Sequence, residues 1–350
     1  MRQERFLMIH SFASDNFAGV HPDVMAAIQG ANVGHAMAYG ADPWTERSDA
    51  VFKKVFGAAA ESYIVFNGTG ANVAMLKHLF SSWQAVICSS SSHLWTDECG
   101  APSGNTGCSL LLVKEKNGKI NPEGCKKFLS AKGSQHNMQP AAISIAQSTE
   151  LGTVYSIEEM KELVDFAHEN DLLFHVDGAR LCNAAASLNV SLKALTTDIG
   201  VDVVSFGGTK NGLMGAEAVV FLKEGLGENF KYVRKQGMQL ASKMRFLSAQ
   251  MIALLEGDLW LRNAMHANKM AKLMESKLRE HCFHAHILYP VQANAVFAHL
   301  PSMEILLKLQ QKSFFWIWNQ EGKVARWMTS WDTQPAFVEE FVAELKSLIG

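Results

Sequence analysis

Short runs of apolar residues alternate with segments of helical periodicity through the first two thirds of the chain. Ser156 and Glu159 form a capping-box pattern that predicts a helix start, and apolar positions follow at helical spacing until Asn170. Further helices are predicted over 71–80 and about 180–196. The apolar runs that predict buried strands are 63–66, 85–88, 141–146, 172–177 and 201–206. Strands separated by helices favour a mostly parallel sheet with helices on both faces.

The pattern changes after about residue 245. A long helical pattern covers about 245–278, and a last helix is predicted over 336–348. Between them lie short apolar runs at 285–290, 294–300 and 325–331. This region therefore predicts a second, smaller α+β domain that is reached through a connecting helix.

The composition narrows the class of protein. The chain has 350 residues, of which 48% are hydrophobic and 19% charged, and this supports a folded core. Its net charge of −2, without blocks of like charge, argues against nucleic-acid and membrane-surface binding. The N-terminal apolar run is too short for a signal peptide, and no apolar window is long enough to cross a bilayer. The cysteines have irregular spacings without a CxxC pattern, so we expect reduced thiols in a cytoplasmic protein.

Lys210 lies in the segment SFGGTKNGLMG, among glycines at the end of a predicted buried strand. Asp177 ends the preceding predicted strand, so neighbouring parallel strands would bring the amine and the carboxylate to one edge of the sheet. Gly68, Thr69 and Gly70 open a helix after another strand. Pyridoxal phosphate needs a lysine, a carboxylate for its ring nitrogen and a helix N-terminus for its phosphate. The three segments together therefore predict a pyridoxal-phosphate site.

Each segment has a simpler explanation when it is taken alone. An aspartate after a strand is usually a turn residue, and His175 with Asp177 could be half of a metal site that lacks a third ligand. The GTGAN turn has Val73 where a dinucleotide-binding loop has its third glycine, and no P-loop sequence follows. The HCFHAH segment at 281–286 has a metal-like composition but no separated ligand pair. We therefore predict surface structure there and no metal site.

The order of these segments resembles that of a known family. The chain is similar to the low-specificity L-threonine aldolases, in the β-eliminating-lyase branch of the fold-type I pyridoxal-phosphate enzymes. The similar segments are FASDNFAGVHP (12–22), YGADPW (39–44), NGTGAN (67–72), SSSSHLWTDECGAP (89–102), QSTELGTVY (147–155), HVDGARLCNA (175–184), SFGGTKNG (205–212), SKMRFLSAQ (242–250) and VARWMTSWD (324–332).

The resemblance implies an α/β fold of the aspartate aminotransferase type. Its large domain has a mostly parallel sheet, and its smaller C-terminal domain is α+β. We expect an N-terminal segment (1–19) that contributes to the active site and the small domain. A cofactor-binding large domain (20–245) and a connecting helix with the small domain (246–350) would follow.

The resemblance also implies roles around the cofactor. Lys210 would carry the Schiff base, Asp177 would pair with the ring nitrogen, and His93 would stack on the open face of the ring. The other residues expected to bind the cofactor are Asn67, Gly68, Thr69, Arg180, Thr209 and Arg245, the last in a neighbouring subunit. Asn67 stands where the family often has a threonine, so an amide replaces one hydroxyl.

Other residues are expected to bind the substrate. Arg180 and Arg326, with the hydroxyl of Ser14, would hold the α-carboxylate, because the planar guanidinium fork matches a carboxylate. Tyr39 is a further expected substrate-binding residue.

The base for the substrate's β-hydroxyl stays open at this stage. Some family members have a histidine at the position of Glu150, near that hydroxyl. The candidates are His93, Glu150 or a water held by either, and we favour His93 or a water on it. The catalytic set is therefore Lys210, Asp177, His93 and Glu150.

The implied reaction is the aldol cleavage of L-threonine, L-allo-threonine and related β-hydroxy-α-amino acids, such as phenylserine, to glycine and an aldehyde. The alternative is another lyase, an aminotransferase or a racemase on the same scaffold. A non-catalytic binding protein is disfavoured by the presence of Lys210, Asp177 and Arg180. The resemblance also implies a homo-oligomer, a dimer or a tetramer, with the active site at the subunit interface.

Overall fold

The computed structural model describes residues 11–282 and 284–349, and a seven-stranded sheet forms the centre of its larger domain. The strands are β1 Glu61–Val65, β2 Gln84–Ser89, β3 Ser109–Val113, β4 Gln139–Ala146, β5 Leu173–Gly178, β6 Val203–Gly207 and β7 Glu217–Phe221. Their order across the sheet is β1-β7-β6-β5-β4-β2-β3. β7 runs antiparallel to β1 and β6, and the other neighbouring pairs are parallel. The predicted mostly parallel sheet is confirmed.

Helices connect and cover these strands. In the larger domain they are α1 Pro22–Ala31, α2 Pro43–Phe56, α3 Gly68–Leu79, α4 His93–Thr96, α5 Ala101–Thr106, α6 Pro122–Lys126, α7 Ile157–Glu169, α8 Leu181–Leu188, α9 Phe230–Gln236 and α10 Met244–Leu255. The two faces of the sheet carry separate apolar cores, since Val203 and Val204, successive residues of β6, belong to different buried clusters.

One predicted helix start is confirmed, and two helix predictions differ from the structure in where the helix ends. The capping box of α7 is confirmed, because the Ser156 hydroxyl accepts from the Glu159 N–H while the Glu159 carboxylate accepts from the Ser156 N–H. The helix predicted over 180–196 ends at Leu188, because Asn189 adopts the left-handed conformation with φ of 55°. The long pattern over 245–278 is two helices, broken after Leu255.

The smaller domain is an antiparallel sheet covered by helices. Its elements are α11 Leu259–His281, β8 His286–Ile287, β9 Ala295–His299, α12 Met303–Lys312, β10 Trp316–Asn319, β11 Val324–Met328 and α13 Pro335–Ile349. The strand order is β10-β11-β9-β8, and every neighbouring pair is antiparallel. The predicted α+β character of this domain is confirmed, whereas β10 was not predicted.

The N-terminal segment joins the core of the smaller domain through its described part, which starts at residue 11; residues 1–10 of the predicted segment lie outside the described residues. Phe12 is buried, its ring lies 4.8 Å from that of Phe341, and its backbone bonds to Phe314 and Met328. The exact boundaries proposed at 19/20 and 245/246 stay a prediction. None of the helices in the described ranges has both the length and the apolar character needed to cross a membrane.

Candidate active site

A cavity of about 400 Å³ opens at the carboxyl ends of β5 and β6. Parallel strands place Asp177 beside Ser205, and Lys210 follows β6 in the short 3-10 helix Thr209–Asn211. The sequence-predicted residues that line this cavity are Asn67, Gly68, Thr69, His93, Asp177, Thr209 and Lys210. The structure therefore brings together the amine, the carboxylate and the helix N-terminus that the sequence indicated.

The glycines before Lys210 permit a close approach of two chain segments. A Cβ atom at Gly207 would lie 2.6 Å from the Ala179 Cα, and one at Gly208 would lie 2.7 Å from the Ala216 carbonyl oxygen. Side chains there would push the turn away from the loop after β5. Burial, together with the Arg180 charge, lowers the pKa of Lys210 below its ordinary value. The lysine is therefore held in the cavity by its backbone, with an amine that loses its proton more easily than a surface lysine.

Asp177 is a buried carboxylate with two hydrogen-bond donors. The Asn72 amide donates to Asp177 Oδ2 at 2.9 Å, and the Ala179 N–H donates to Oδ1 at 3.1 Å. Burial acts to raise the pKa of Asp177, but the Asn72 bond and the His93 charge outweigh it, so the pKa is lowered. The site thus keeps a negative charge at the end of β5.

His93 begins α4 and is bound by a second buried carboxylate, that of Glu98. His93 Nδ1 lies 3.0 Å from Glu98 Oε1, and the Asn72 amide donates to the same oxygen at 2.8 Å. The Glu98 hydrogen bond raises the pKa of His93 despite burial. Sequence reasoning missed Asn72 and Glu98, although both lie in segments already matched to the family, at 67–72 and 89–102.

The N-terminus of α3 forms the other end of the cavity. Asn67 caps this helix, since its Oδ1 accepts from the Gly70 N–H at 2.7 Å, and its NH₂ group stays available as a donor. Opposite lies Glu217, a second residue that the sequence did not reveal. Its carboxylate accepts from the Gly208 N–H at 2.8 Å, and burial raises its pKa. Glu217 also hydrogen-bonds Thr209, so it fixes the turn that carries the lysine.

Arg180 faces the N-terminal segment. Its Nε and Nη2 donate to the two oxygens of the buried Asp15 at 2.7 and 2.9 Å, in a bidentate ion pair. The Asn294 amide of the smaller domain donates to Asp15 as well, at 3.0 Å. The Asp15 pair raises the pKa of Arg180 although burial opposes it. The ion pair thus joins the larger domain, the N-terminal segment and the smaller domain at the site.

Arg326 on β11 approaches the same region. Its Nη2 donates to the Ala13 carbonyl at 3.3 Å, and within the described ranges its buried Nε has no hydrogen-bond partner. Burial and the neighbouring Arg180 charge lower the pKa of Arg326 to about 10. The Ser14 hydroxyl caps the short helix Asp15–Phe17 by accepting from the Asn16 N–H at 3.2 Å. Arg180 and Arg326 thus bring two guanidinium groups to the same buried carboxylate, Asp15.

Glu150 lies in the loop after β4, beside His93. Its Oε1 accepts from the backbone N–H of His93 at 2.8 Å, and burial raises its pKa to about 7. It lines a smaller adjoining cavity of about 60 Å³ together with Ser148, Arg180 and Lys210. A carboxyl group with this pKa can exchange a proton near neutral pH.

Four predicted site residues do not line either cavity in the described chain: Ser14 and Arg326 lie beside Asp15, and Tyr39 and Arg245 lie elsewhere. Tyr39 is 55% exposed, and the amine of Lys235 lies over its ring, 4.9 Å from the ring centre. Arg245 is half-buried, and its Nη1 donates to the carbonyls of Val33 and Gly34 at 3.1 and 3.3 Å. The cavity of one chain does not include either residue among its described lining. Their roles stay predictions that need a second copy of the chain.

His175 is a structural residue of the sheet. Its Nδ1 lies 2.8 Å from the hydroxyl of Ser144 on β4, and its Nε2 lies 3.0 Å from that of Ser205 on β6. Both ring nitrogens are therefore engaged within the sheet, which leaves none for a metal ion. In the described part of the chain, no cluster of three or more histidine, cysteine or acidic residues could hold a metal.

Comparisons with known proteins agree with this geometry. The family model described as beta-eliminating lyase matches residues 11–302. The chain is 41% identical over 342 residues to a low-specificity L-threonine aldolase of Pseudomonas sp. (strain NCIMB 10558), covering 97% of this chain and 98% of that protein. It is similar to a solved structure of Leishmania major threonine aldolase, with a TM-score of 0.91, 26% identity and coverage of 97% and 100%. A structure of SPT with PLP, at a TM-score of 0.72, 14% identity and coverage of 96% and 86%, shares the fold alone.

Proposed function

Because this chain belongs to the β-eliminating lyase family, we propose that it cleaves L-threonine and L-allo-threonine to glycine and acetaldehyde, with pyridoxal phosphate as its cofactor. Related β-hydroxy-α-amino acids such as phenylserine are proposed substrates as well. The observation that carries the proposal is the placement of Lys210 and Asp177 at neighbouring strand ends, in a cavity that also receives the N-terminus of α3.

The residues present fit this cofactor. Asp177 keeps a negative charge that suits a protonated ring nitrogen, and the Gly68–Thr69 start of α3 suits a phosphate. A Cβ atom added at Gly68 would meet no described atom within 4 Å, so this helix end faces open space. Lys210 would hold the cofactor covalently. When bound, the ring supplies an electron sink for the bond that is broken at the substrate's α-carbon.

We propose that Arg326 makes the main contact with the substrate's α-carboxylate. Asp15 already takes one N–H from Nε and one from Nη2 of Arg180, so three of the five N–H groups of that guanidinium are left to offer. Arg326 has an unpaired Nε and only one long hydrogen bond, to a carbonyl, in the described chain. The Ser14 hydroxyl lies next to Asp15, in position to assist the same carboxylate.

We propose that Glu150 removes the proton of the β-hydroxyl. Its pKa of about 7 suits a base at neutral pH, whereas the Glu98 hydrogen bond raises the pKa of His93 and favours the protonated form of that ring. The raised pKa of His93 makes its ring a weaker acceptor of the β-hydroxyl proton than the sequence suggested, so the preference moves to Glu150. His93 is then suited to donate hydrogen bonds in the cavity.

We also propose a homo-oligomer in which a second copy covers the cavity mouth. Phe66 and Met214 line the cavity and are 42% and 54% exposed, a large apolar surface for the rim of an active site. Tyr39 and Arg245 would then reach the neighbouring copy's site. A mixture of inactive Lys210→Ala and Arg245→Ala chains should regain activity, since one mixed site would hold both native residues. No recovery after subunit exchange would contradict the shared site.

The proposed reaction is tested by product analysis. The purified holoenzyme is offered L-threonine, L-allo-threonine, phenylserine and serine, and the aldehyde and the amino-acid product are measured. We expect acetaldehyde with glycine from both threonines, and benzaldehyde with glycine from phenylserine. Pyruvate or a 2-oxo acid would instead show elimination or transamination. Lys210→Ala should release no aldehyde, and release at the parent rate would contradict the proposal.

A further inference from the structure

A buried hydrogen-bonded bridge connects Asp177 with His93. The Asn72 amide nitrogen donates to Asp177 Oδ2 at 2.9 Å and to Glu98 Oε1 at 2.8 Å. The same Glu98 oxygen lies 3.0 Å from His93 Nδ1. Asn72 and Glu98 are only 2% and 4% exposed. Four side chains from three separate segments thus form one continuous chain of hydrogen bonds beneath the cavity.

The amide of Asn72 is chemically suited to the centre of this bridge. An amide nitrogen carries two hydrogens, and here each of them meets a different carboxylate. An aspartate at this position would place a third acid between Asp177 and Glu98, and an alanine would leave one oxygen of Asp177 without its side-chain donor. The bridge therefore joins two buried carboxylates without adding a charge of its own.

The bridge leaves polar atoms directed at the smaller cavity. Asn72 Oδ1 and Glu98 Oε2 are buried and have no hydrogen-bond partner among the described residues, and both side chains line the cavity of about 60 Å³. Leaving a buried polar group without a hydrogen-bond partner destabilises the folded chain. This destabilisation is tolerated where another function fixes the positions of the side chains. Here the paired atoms of Asn72 and Glu98 hold Asp177 and His93 in place.

We propose that Asn72 and Glu98 are positioning residues that hold Asp177 and His93 as one coupled unit. Disturbing either residue weakens cofactor binding, and disturbing Glu98 also changes the charge of His93. This inference rests on the proposed cofactor site but not on the proposed substrate. It goes beyond the roles of Asp177 and His93 themselves, since neither Asn72 nor Glu98 needs to touch the cofactor or the reacting atoms.

Several charged groups face His93. Glu98 and Asp177 favour its protonated form, and Lys210 opposes it. Glu150 accepts from its backbone N–H and adds a further carboxyl group nearby. The Glu98 hydrogen bond is the largest cause of the raised pKa of His93. Removing that one charge should therefore release the His93 proton at lower pH, although the other groups stay in place.

The test uses two variants and a control. Glu98→Gln keeps the size and an acceptor oxygen but removes the charge, and Asn72→Ala removes the bridge. Asn268→Ala is the control, because it deletes another partly buried amide, paired with Asn183 between α8 and α11. The His93 pKa is measured by histidine NMR on the cofactor-free protein, with His93→Asn identifying the resonance. The Kd for pyridoxal phosphate is measured by fluorescence titration.

We expect Glu98→Gln to lower the His93 pKa by about one pH unit, which corresponds to about a tenfold change in its proton affinity. Asn72→Ala should raise the cofactor Kd about tenfold, because Asp177 loses a donor that keeps it ionised, while the Glu98 charge beside His93 stays in place. The double variant should weaken cofactor binding by less than the product of the single effects, as coupled residues do. The control should change neither quantity.

An unchanged His93 pKa in Glu98→Gln, or effects on the cofactor Kd that multiply independently, would overturn the proposal. Should Glu98→Gln not fold, Asn72→Ala still decides it, since an unchanged cofactor Kd in that variant contradicts the bridge. All of these measurements omit the amino-acid substrate. A wrong substrate would therefore fail the product analysis but leave this result intact.

Discussion

Two histidines lie near Asp177 in two different regions of the larger domain. His175 sits in the interior of the sheet between the hydroxyls of Ser144 and Ser205, and burial lowers its pKa to about 4. His93 sits at the carboxyl edge of the sheet, where the hydrogen bond to Glu98 raises its pKa. Both rings are close to the same acid, yet their proton affinities move in opposite directions.

The two histidine pKa values differ because the two regions offer different partners to a protonated imidazole. The sheet interior offers neutral hydroxyls, so desolvation decides and the imidazole of His175 stays uncharged. The edge offers a second carboxylate and an open cavity, so the protonated form of the His93 imidazole is favoured although the ring is partly buried. Burial alone therefore does not mark a functional residue in this chain. A functional residue is marked here by a buried acid that is paired with a base beside a cavity.

The largest expected effect on activity comes from removing the negative charge of Asp177, the acid that lies near both histidines. Asp177→Asn keeps the shape and can still bond to Ala179, but it no longer holds a proton on the cofactor's ring nitrogen. Aldehyde release from L-threonine should fall about 10³-fold, the upper range for losing one preorganised electrostatic contact. His175→Gln is the matched change in the interior and should retain most activity. Equal losses in the two variants would erase the distinction between the regions.

A smaller effect is expected at Glu150. Glu150→Gln should lower kcat/KM for L-threonine about 10²-fold, within the range of general-base catalysis. In the parent enzyme kcat/KM should rise as the pH increases through about 7, because the carboxyl group must lose its proton to act. That rise should vanish in Glu150→Gln and persist in His93→Asn. If His93→Asn removes it instead, His93 is the base.

His175, the histidine in the sheet interior, should affect the pH dependence of stability rather than the activity. The folded pKa of His175, about 4, lies below its unfolded value, so the unfolded chain takes up a proton first as the pH falls. The associated stability is present above about pH 6.5 and should decline by about 2 kcal/mol between pH 7 and pH 5. Urea unfolding at the two pH values measures this. Between pH 7 and pH 5, the free energy of unfolding of His175→Gln should therefore decline by about 2 kcal/mol less than that of the parent protein. An equal decline in both proteins would contradict the lowered pKa of His175.

The smallest effect concerns the carboxylate contact. Arg326→Lys keeps the charge but loses the planar fork, so KM for L-threonine should rise about tenfold with little change in kcat. Steady-state kinetics measure both constants. Arg262→Lys is the control, since Arg262 is exposed and pairs only with the surface residue Asp23 among the described residues. A lower kcat at unchanged KM would place Arg326 in the chemical step.

The sequence predicted the centre of the fold because five strands of the large sheet are continuous apolar runs. It missed β3, a partly buried strand at the edge of the sheet, and β7, whose apolar run begins with the buried acid Glu217. In the smaller domain it missed β10, whose side chains are partly exposed. It also joined α10 and α11 into one helix, since apolar spacing continues across their break. Periodicity thus reports which residues face a core, but not where neighbouring elements end.

The site was predictable where strand ends and helix starts carry the chemistry, as for Lys210 and Asp177. Partners that come from distant segments were not. Asn72 lies 105 positions from Asp177, and Asp15 lies 165 positions from Arg180. A buried acid such as Glu98 looks like a surface residue in the sequence, because its partners are known only once the chain is folded.

The account depends on Lys210 as the covalent attachment point of the cofactor. The most direct test is borohydride reduction of the holoenzyme, followed by mass mapping of its peptides. The account predicts a pyridoxyl group on the peptide that contains Lys210, at the side-chain amine of that residue. A pyridoxyl group on a different lysine, or none on a protein that still releases acetaldehyde from threonine, would contradict it.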